Sequence, residues 1–112
     1  MHNTLTENTG IHMAKVESKT LDRTSARELR VSLEAALSHP PKVALDLSNV
    51  LSVDSSGLIG LIGCLRFVQA SGGEIRLFGL RQPARVIFEQ TRMHRVFEIF
   101  NTAQETIASY RR

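Results

Sequence analysis

The sequence has one cysteine, no tryptophan and few other aromatic residues. Cys64 is the single cysteine among 112 residues, and one thiol cannot form an internal disulfide, which excludes a disulfide-framed secreted fold. Aromatic residues make up 5% of the chain, whereas nucleic-acid binders usually combine a basic cluster with stacking aromatics. The formal charge of +3 comes from an excess of basic residues in the C-terminal third, where acidic residues are interleaved. We therefore expect no nucleic-acid partner.

Long apolar runs are also missing, as are the usual signals for secretion, metals and cofactors. The longest weakly polar stretch, 58–65, is far shorter than the roughly 20 residues that span a membrane. The N-terminal ten residues lack the basic and apolar regions of a signal peptide, so we expect a cytoplasmic protein without membrane insertion. The four histidines have no ligand spacing with each other or with Cys64, which predicts no metal site. The chain contains neither a P-loop nor a dinucleotide fingerprint, so we predict no cofactor.

The remaining composition is that of an ordinary globular protein. Hydrophobic residues account for 42% of the chain and charged residues for 22%, enough to build one modest core. Residues 1–9 are polar and predict a ragged N-terminus or a short first strand around 4–6. We expect residues 10–110 to form a single domain.

The pattern of the first half predicts two strands and two helices. Weak alternation over 11–17 indicates a strand. The first helix has an apolar face and a Ser25/Glu28 capping box, and it ends at the prolines of 39–41. An apolar run over 43–47 predicts a buried central strand, and 50–53 continues in extended form into a second helix over 56–69. The apolar face of the first helix consists of Ala26, Leu29, Leu33, Ala36 and Leu37.

The second helix and the elements after it complete an alternating pattern. Gly60 and Gly63 lower helix propensity, which favours close packing of this helix on the sheet. After the 71–73 turn we expect a strand over 74–80, a helix opened by Pro83, a last strand over 96–100 and a short helix ending at Ser109. Val86, Ile87 and Gln90 are predicted to begin the inner face of the third helix. Asn101 or Thr102 is predicted to cap the last one, whose inward residues would be Ala103, Ile107 and Tyr110. The pattern predicts an α/β fold with a mostly parallel sheet of four to five strands and about four helices.

The segment Asp54-Ser55-Ser56-Gly57 is the most informative part of the chain. It follows a buried strand and opens a helix, so its hydroxyls lie at the positive end of the helix dipole beside unpaired backbone N–H groups. A phosphate added there would be favourably placed. The same residue types are also ordinary helix caps, and the tetrapeptide alone does not separate these two interpretations.

The wider segment resembles the STAS domain, which is shared by anti-sigma factor antagonists and the cytoplasmic tails of sulfate transporters. The resemblance covers roughly residues 10–110. It departs from the family at Lys19, at Asn49 and at Arg92-Met93, where the family often has glycine, glycine and Gly-Leu. The motifs that carry it are Leu21-Asp22 followed by Ala26, Leu45-Asp46-Leu47-Ser48, Asp54-Ser55-Ser56-Gly57-Leu58, Gly72-Gly73 and Val96-Phe97.

The resemblance implies a bacterial anti-sigma factor antagonist that is controlled by phosphorylation. In such antagonists the serine before the glycine, here Ser56, is phosphorylated by a partner kinase that is itself the anti-sigma factor. Asp22, Asp54, Ser55 and Gly57 would form the docking surface with Ser56. The unphosphorylated protein would bind the kinase and release a sigma factor, and a phosphatase would reset the switch. ATP would belong to the kinase. The alternative is a STAS regulatory subunit of a lipid-transport ATPase or of a stress-sensing scaffold.

A serine hydrolase is the main enzymatic alternative. The chain has no G-x-S-x-G elbow, and nothing in the sequence nominates a histidine to activate Ser56. Cys64 lies beside the apolar face of the second helix, where a small packed residue is more common than a reactive thiol. We therefore expect a binding protein and no catalytic residues.

Overall fold

The computed structural model describes residues 4–8, 10–36 and 41–111. Within these ranges it contains two sheets and four α-helices, connected in an alternating order. The strands are β1 (Thr4–Asn8), β2 (Ile11–Lys15), β3 (Thr20–Leu21), β4 (Lys42–Asp46), β5 (Ser52–Val53), β6 (Glu74–Phe78) and β7 (Ile99–Phe100). The helices are α1 (Arg23–Ala36), α2 (Ser55–Ala70), α3 (Gln82–Gln90) and α4 (Ala103–Tyr110).

The main sheet has five strands in the order β1-β2-β4-β6-β7. β1 pairs antiparallel with β2, and the other three pairings are parallel. A separate two-stranded parallel sheet joins β3 to β5. The expected α/β fold with a mostly parallel sheet is thus confirmed.

Helices cover both faces of the main sheet. One face carries the larger core, which α1, α2 and α3 close with buried side chains such as Leu29, Leu61 and Phe88. The other face has a smaller cluster around Ile11 and Phe78, against which α4 packs. Alternation along the strands puts their apolar side chains on both faces, so a sheet covered on both sides follows from the sequence pattern.

Several local predictions were wrong in detail. The predicted strand over 96–100 is only Ile99–Phe100, because residues 93–95 form a 3-10 turn and Val96 is exposed. The inner face of α3 is formed by Ala84, Phe88 and the predicted Ile87, which packs against the core, whereas the predicted Gln90 is exposed. The strands predicted over 11–17 and 74–80 end earlier, at Lys15 and Phe78. The predicted helix stop at 39–41 involves residues 37–40, which lie outside the described residues.

The capping prediction for the first helix also changes. The helix begins two residues before Ser25, and Asp22 caps it. The Ser25 amide donates to Asp22 Oδ1 at 2.9 Å, and the Asp22 amide donates to Ser25 Oγ at 2.9 Å. Ser25 is buried, and its hydroxyl also donates to the Thr20 carbonyl at 2.8 Å. The reciprocal pair is therefore Asp22 with Ser25 rather than Ser25 with Glu28. For α4, Thr102 is the cap and forms a capping box with Glu105.

Candidate functional site

Two strand–aspartate–helix units lie side by side at one end of the molecule. β3 leads through Asp22 into α1, and β5 leads through Asp54 into α2. Their parallel register aligns Leu21 with Val53, so the aspartate that follows each strand lies at the same end. The sequence shows the two segments separately, and the β3–β5 pairing brings them together.

Gly57 lets the two units come into direct contact. It is buried in the first turn of α2, and a Cβ placed there would overlap the Leu21 carbonyl oxygen and lie 2.9 Å from the Asp22 nitrogen. The Asp54 amide also donates to the Leu21 carbonyl at 3.1 Å. Only glycine allows this approach of one helix start to the other, which explains the residue type at position 57.

Asp54 is the cap of α2 and organises the first turn around its Oδ1 atom. The Gly57 amide donates to this oxygen at 2.8 Å and the Ser56 hydroxyl donates to it at 2.7 Å. The Ser56 bond is the main cause of a lowered pKa for the Asp54 carboxyl, and the Gly57 amide adds to it. The carboxylate is exposed and charged at neutral pH.

The Ser56 hydroxyl is not the cap of the helix. Asp54 is the cap, and the Ser56 hydroxyl donates its hydrogen bond to the Asp54 side chain. Ser56 is partly exposed, and Ser55 before it is exposed. Asp54 is therefore the residue that caps the helix, and Ser56 is not needed as a cap.

A groove between α1 and α2 extends from Ser56 along both helices. We call it the α1–α2 groove, and its volume is about 450 Å³. Its α2 side includes Ile59, whose side chain is 69% exposed. Its full lining is Arg23, Ala26, Arg27, Arg30, Ser56, Ile59, Gly60 and Gly63. The three arginines were not among the site residues predicted from the sequence, since each looks like an ordinary polar-face residue of α1.

Gly60 and Gly63 of α2 face this groove and not the sheet. This corrects the prediction that they allow close packing of α2 on the sheet. A Cβ at Gly60 would lie 2.5 Å from the Ala26 Cβ, and one at Gly63 would lie 3.8 Å from a guanidinium nitrogen of Arg30. Gly60 therefore allows α1, rather than the sheet, to approach α2.

The structure gives little support to a reactive cysteine, a metal site or a membrane-spanning helix in the described residues. Cys64 is buried, and burial raises the pKa of its thiol to about 11, so it is a poor nucleophile near neutral pH. Across the residues that the structure describes, no group of three His, Cys, Asp or Glu side chains is placed to hold a metal ion. Within the same ranges, no helix combines the length and the apolar character needed to cross a membrane.

Comparison with known proteins identifies the family. The STAS domain model matches residues 4–106, and the chain belongs to this family. The fold is similar to that of an anti-sigma-factor antagonist (STAS) domain protein from Planctomyces limnophilus, at 18% identity, a TM-score of 0.83 and 97% coverage of both chains.

Three further structures show the breadth of the family. The anti-sigma factor antagonist SpoIIAA in its unphosphorylated form is 18% identical with a TM-score of 0.74, covering 97% of this chain and 96% of SpoIIAA; a phosphorylated form of the Bacillus protein is also similar, with a TM-score of 0.68. A sulfate transporter family protein from Wolinella succinogenes is 14% identical with a TM-score of 0.80, covering 93% of this chain and 87% of that one. At these identities the likeness establishes the fold.

Proposed function

We propose that this protein is a bacterial anti-sigma factor antagonist that acts in the cytoplasm and is switched by phosphorylation of Ser56. The observation that carries the proposal is the position of the Ser56 hydroxyl. It is accessible at the first turn of α2 and has no capping duty, because Asp54 holds the Gly57 amide. A phosphate on Ser56 would thus change the surface and replace the Ser56–Asp54 hydrogen bond, while the Gly57–Asp54 bond that caps the helix stays in place. That SpoIIAA, a protein of the same fold, occurs in both forms adds support.

The proposed partner is a kinase-type anti-sigma factor, and the docking surface is the paired start of α1 and α2. It comprises Asp22, Asp54, Ser55, Ser56 and Gly57, and the neighbouring exposed side chain of Ile59 supplies an apolar contact. Unphosphorylated, the protein binds the kinase and a sigma factor is released. The kinase supplies ATP, and the protein itself performs no catalysis.

Phosphoryl transfer then ends the interaction. The bond between the γ-phosphorus and the oxygen that leaves with ADP breaks as the Ser56 Oγ–phosphorus bond forms, and the hydroxyl proton passes to a base that the kinase supplies. A phosphatase later removes the phosphate by hydrolysis.

The test is phosphorylation by the kinase-type anti-sigma factors of the same genome with labelled ATP. We expect one phosphate per chain, absent in Ser56→Ala and retained in Ser55→Ala, the matched control one residue away. Label that survives Ser56→Ala would contradict the site, and failure of every such kinase to bind or label the wild type would contradict the function.

The second candidate is a regulatory STAS subunit of a transporter or of a scaffold. It is favoured by the similarity of the fold to a sulfate transporter family protein. Affinity purification from the native cell distinguishes the two: recovery of a lipid-transport ATPase or a scaffold protein, with Ser56 unmodified, would favour this alternative.

A further inference from the structure

The register of α1 against α2 places an arginine opposite Ser56. The contact of Ala26 with Gly60 and the approach of Arg30 to Gly63 mark successive turns of the two helices. One turn toward the N-termini from the first pair lie Arg23 on α1 and Ser56 on α2, since residues three and four apart share a helix face. Both residues line the α1–α2 groove, together with Arg27.

The arginines of the groove differ in what they already bind. Arg30 forms an ion pair with Glu34 at 3.1 Å and lies over the Phe67 ring at 4.8 Å. Arg23 and Arg27 are exposed, and neither forms an ion pair with any other residue in the described part of the chain. Two guanidinium groups that line the same groove as Ser56 are therefore available for an anion.

Acidic groups at the same end are already in use. Asp22 and Asp54 each accept a backbone N–H as the cap of a helix. The Ser56 hydrogen bond is the largest cause of the lowered pKa of Asp54 and the positive charge of Arg23 is the smallest, which is consistent with the shared groove position of Arg23 and Ser56. A phosphate on Ser56 would face Asp54 as a repulsive neighbour and Arg23 as an attractive one.

We propose that Arg23 and Arg27 form an intramolecular binding site for the phosphate of phosphorylated Ser56. This inference rests on the proposed function, in which Ser56 carries that phosphate. A guanidinium presents a planar pair of N–H donors that matches two phosphate oxygens. The site has a consequence for the switch: in the unphosphorylated protein these arginines face a docking partner, and in the phosphorylated protein they are occupied. Phosphorylation then adds negative charge and withdraws two cationic contacts in one step.

The experiment uses the full chain with phosphoserine incorporated genetically at position 56, so that no kinase is needed. The phosphorus-31 signal is followed through the second ionisation of the phosphate, which lies near pH 6 for phosphoserine. Nearby cations favour the dianion. We expect the titration midpoint of the wild type to lie about half a pH unit below that of the R23Q/R27Q variant, a modest difference because the groups are exposed.

The matched control is R66Q/R81Q, which removes the same charge from two exposed arginines outside the groove. We expect its midpoint to equal that of the wild type. Equal midpoints for the wild type and R23Q/R27Q, or an equal change in both double variants, would overturn the proposal.

A second readout needs no variant. The Nε–Hε signals of Arg23 and Arg27 should move on phosphorylation while that of Arg66 stays, and unmoved Arg23 and Arg27 signals would also overturn the proposal. Because the phosphate is introduced without a kinase, failure here leaves the phosphorylation proposal standing, and failure of kinase labelling leaves this result valid.

Discussion

The Ser56 hydroxyl donates a 2.7 Å hydrogen bond to Oδ1 of Asp54, the same oxygen that accepts the Gly57 amide at 2.8 Å. One carboxylate oxygen thus connects the cap of α2 to the hydroxyl that we propose as the phosphorylation site. The arrangement favours the charged form of Asp54, because both bonds are made to the ionised carboxylate.

The Asp54 carboxyl should titrate at a higher pH in Ser56→Ala than in the wild type. The wild-type pKa lies below the ordinary value of 3.8, and the Ser56 hydrogen bond is the largest cause. Removing the hydroxyl leaves the Gly57 amide, so the pKa should rise toward the ordinary value without reaching it. Carbon-13 NMR of the side-chain carboxyl measures this directly, and Ser55→Ala should titrate like the wild type.

The same shift predicts how stability depends on pH. For a carboxyl whose pKa is lowered by folding, the contribution to stability is complete above the ordinary pKa and is lost as the pH falls through the folded-state pKa. Asp54 should therefore stabilise the fold fully above about pH 4 and progressively less below it. An Asp54 pKa that is equal in Ser56→Ala and wild type would show that the hydrogen bond does not form in solution.

Two glycines of α2 should respond in opposite directions to a methyl group. Gly57→Ala should lower the free energy of unfolding by on the order of 1–3 kcal/mol, because its Cβ would overlap the Leu21 carbonyl. Gly63→Ala should raise it by about 0.5–1 kcal/mol, because the nearest atom is 3.8 Å away and alanine has the higher helix propensity. Urea denaturation measures both, and a Gly57→Ala variant as stable as wild type would contradict the close contact of the two helix starts.

Arg92 should be replaceable by glycine with a gain in stability. Its φ angle is 61°, the only positive value for a non-glycine residue in the described ranges. Relief of the left-handed conformation should add about 1 kcal/mol to the unfolding free energy, or roughly 4–8 °C in melting temperature. Arg95→Gly is the control: Arg95 ends the adjacent 3-10 turn without a positive φ, so glycine there should destabilise.

Elements with a strong periodic pattern could be predicted from the sequence, whereas contacts between elements could not. The buried face of α1 followed from its spacing, since Ala26, Leu29 and Leu33 are all buried. The cap of α1 did not follow from local sequence: Asp22 caps the helix instead of Ser25, whose hydroxyl donates to the Thr20 carbonyl in β3. Local sequence does not contain that information.

The candidate site shows the same division. Ser56 and Asp54 could be proposed from the sequence only through the family resemblance, because the tetrapeptide by itself is also an ordinary helix cap. Arg23 and Arg27 could not, because they gain significance only through the packing of α1 on α2. Gly60 was informative as a close-packing residue, but the sequence did not indicate that the element it approaches is α1.

A charge at position 56 should weaken binding of the kinase without unfolding the protein. Ser56→Asp adds a carboxylate at the N-terminus of α2, where the helix dipole favours it by roughly 0.3–1 kcal/mol and the Asp54 charge opposes it. The net effect on stability should be small, so we expect a melting temperature within about 3 °C of the wild type. At the interface, juxtaposed like charges cost several kcal/mol. Aspartate has about half the charge of phosphoserine, so affinity for the kinase should fall by at least about tenfold.

Calorimetry measures the affinity of Ser56→Asp for the kinase. The control is Ser55→Asp, one residue away on the exposed side of the same turn, which should lose clearly less affinity. If Ser56→Asp binds like the wild type, or loses binding only because it has unfolded, then phosphorylation does not act by charge at the docking surface.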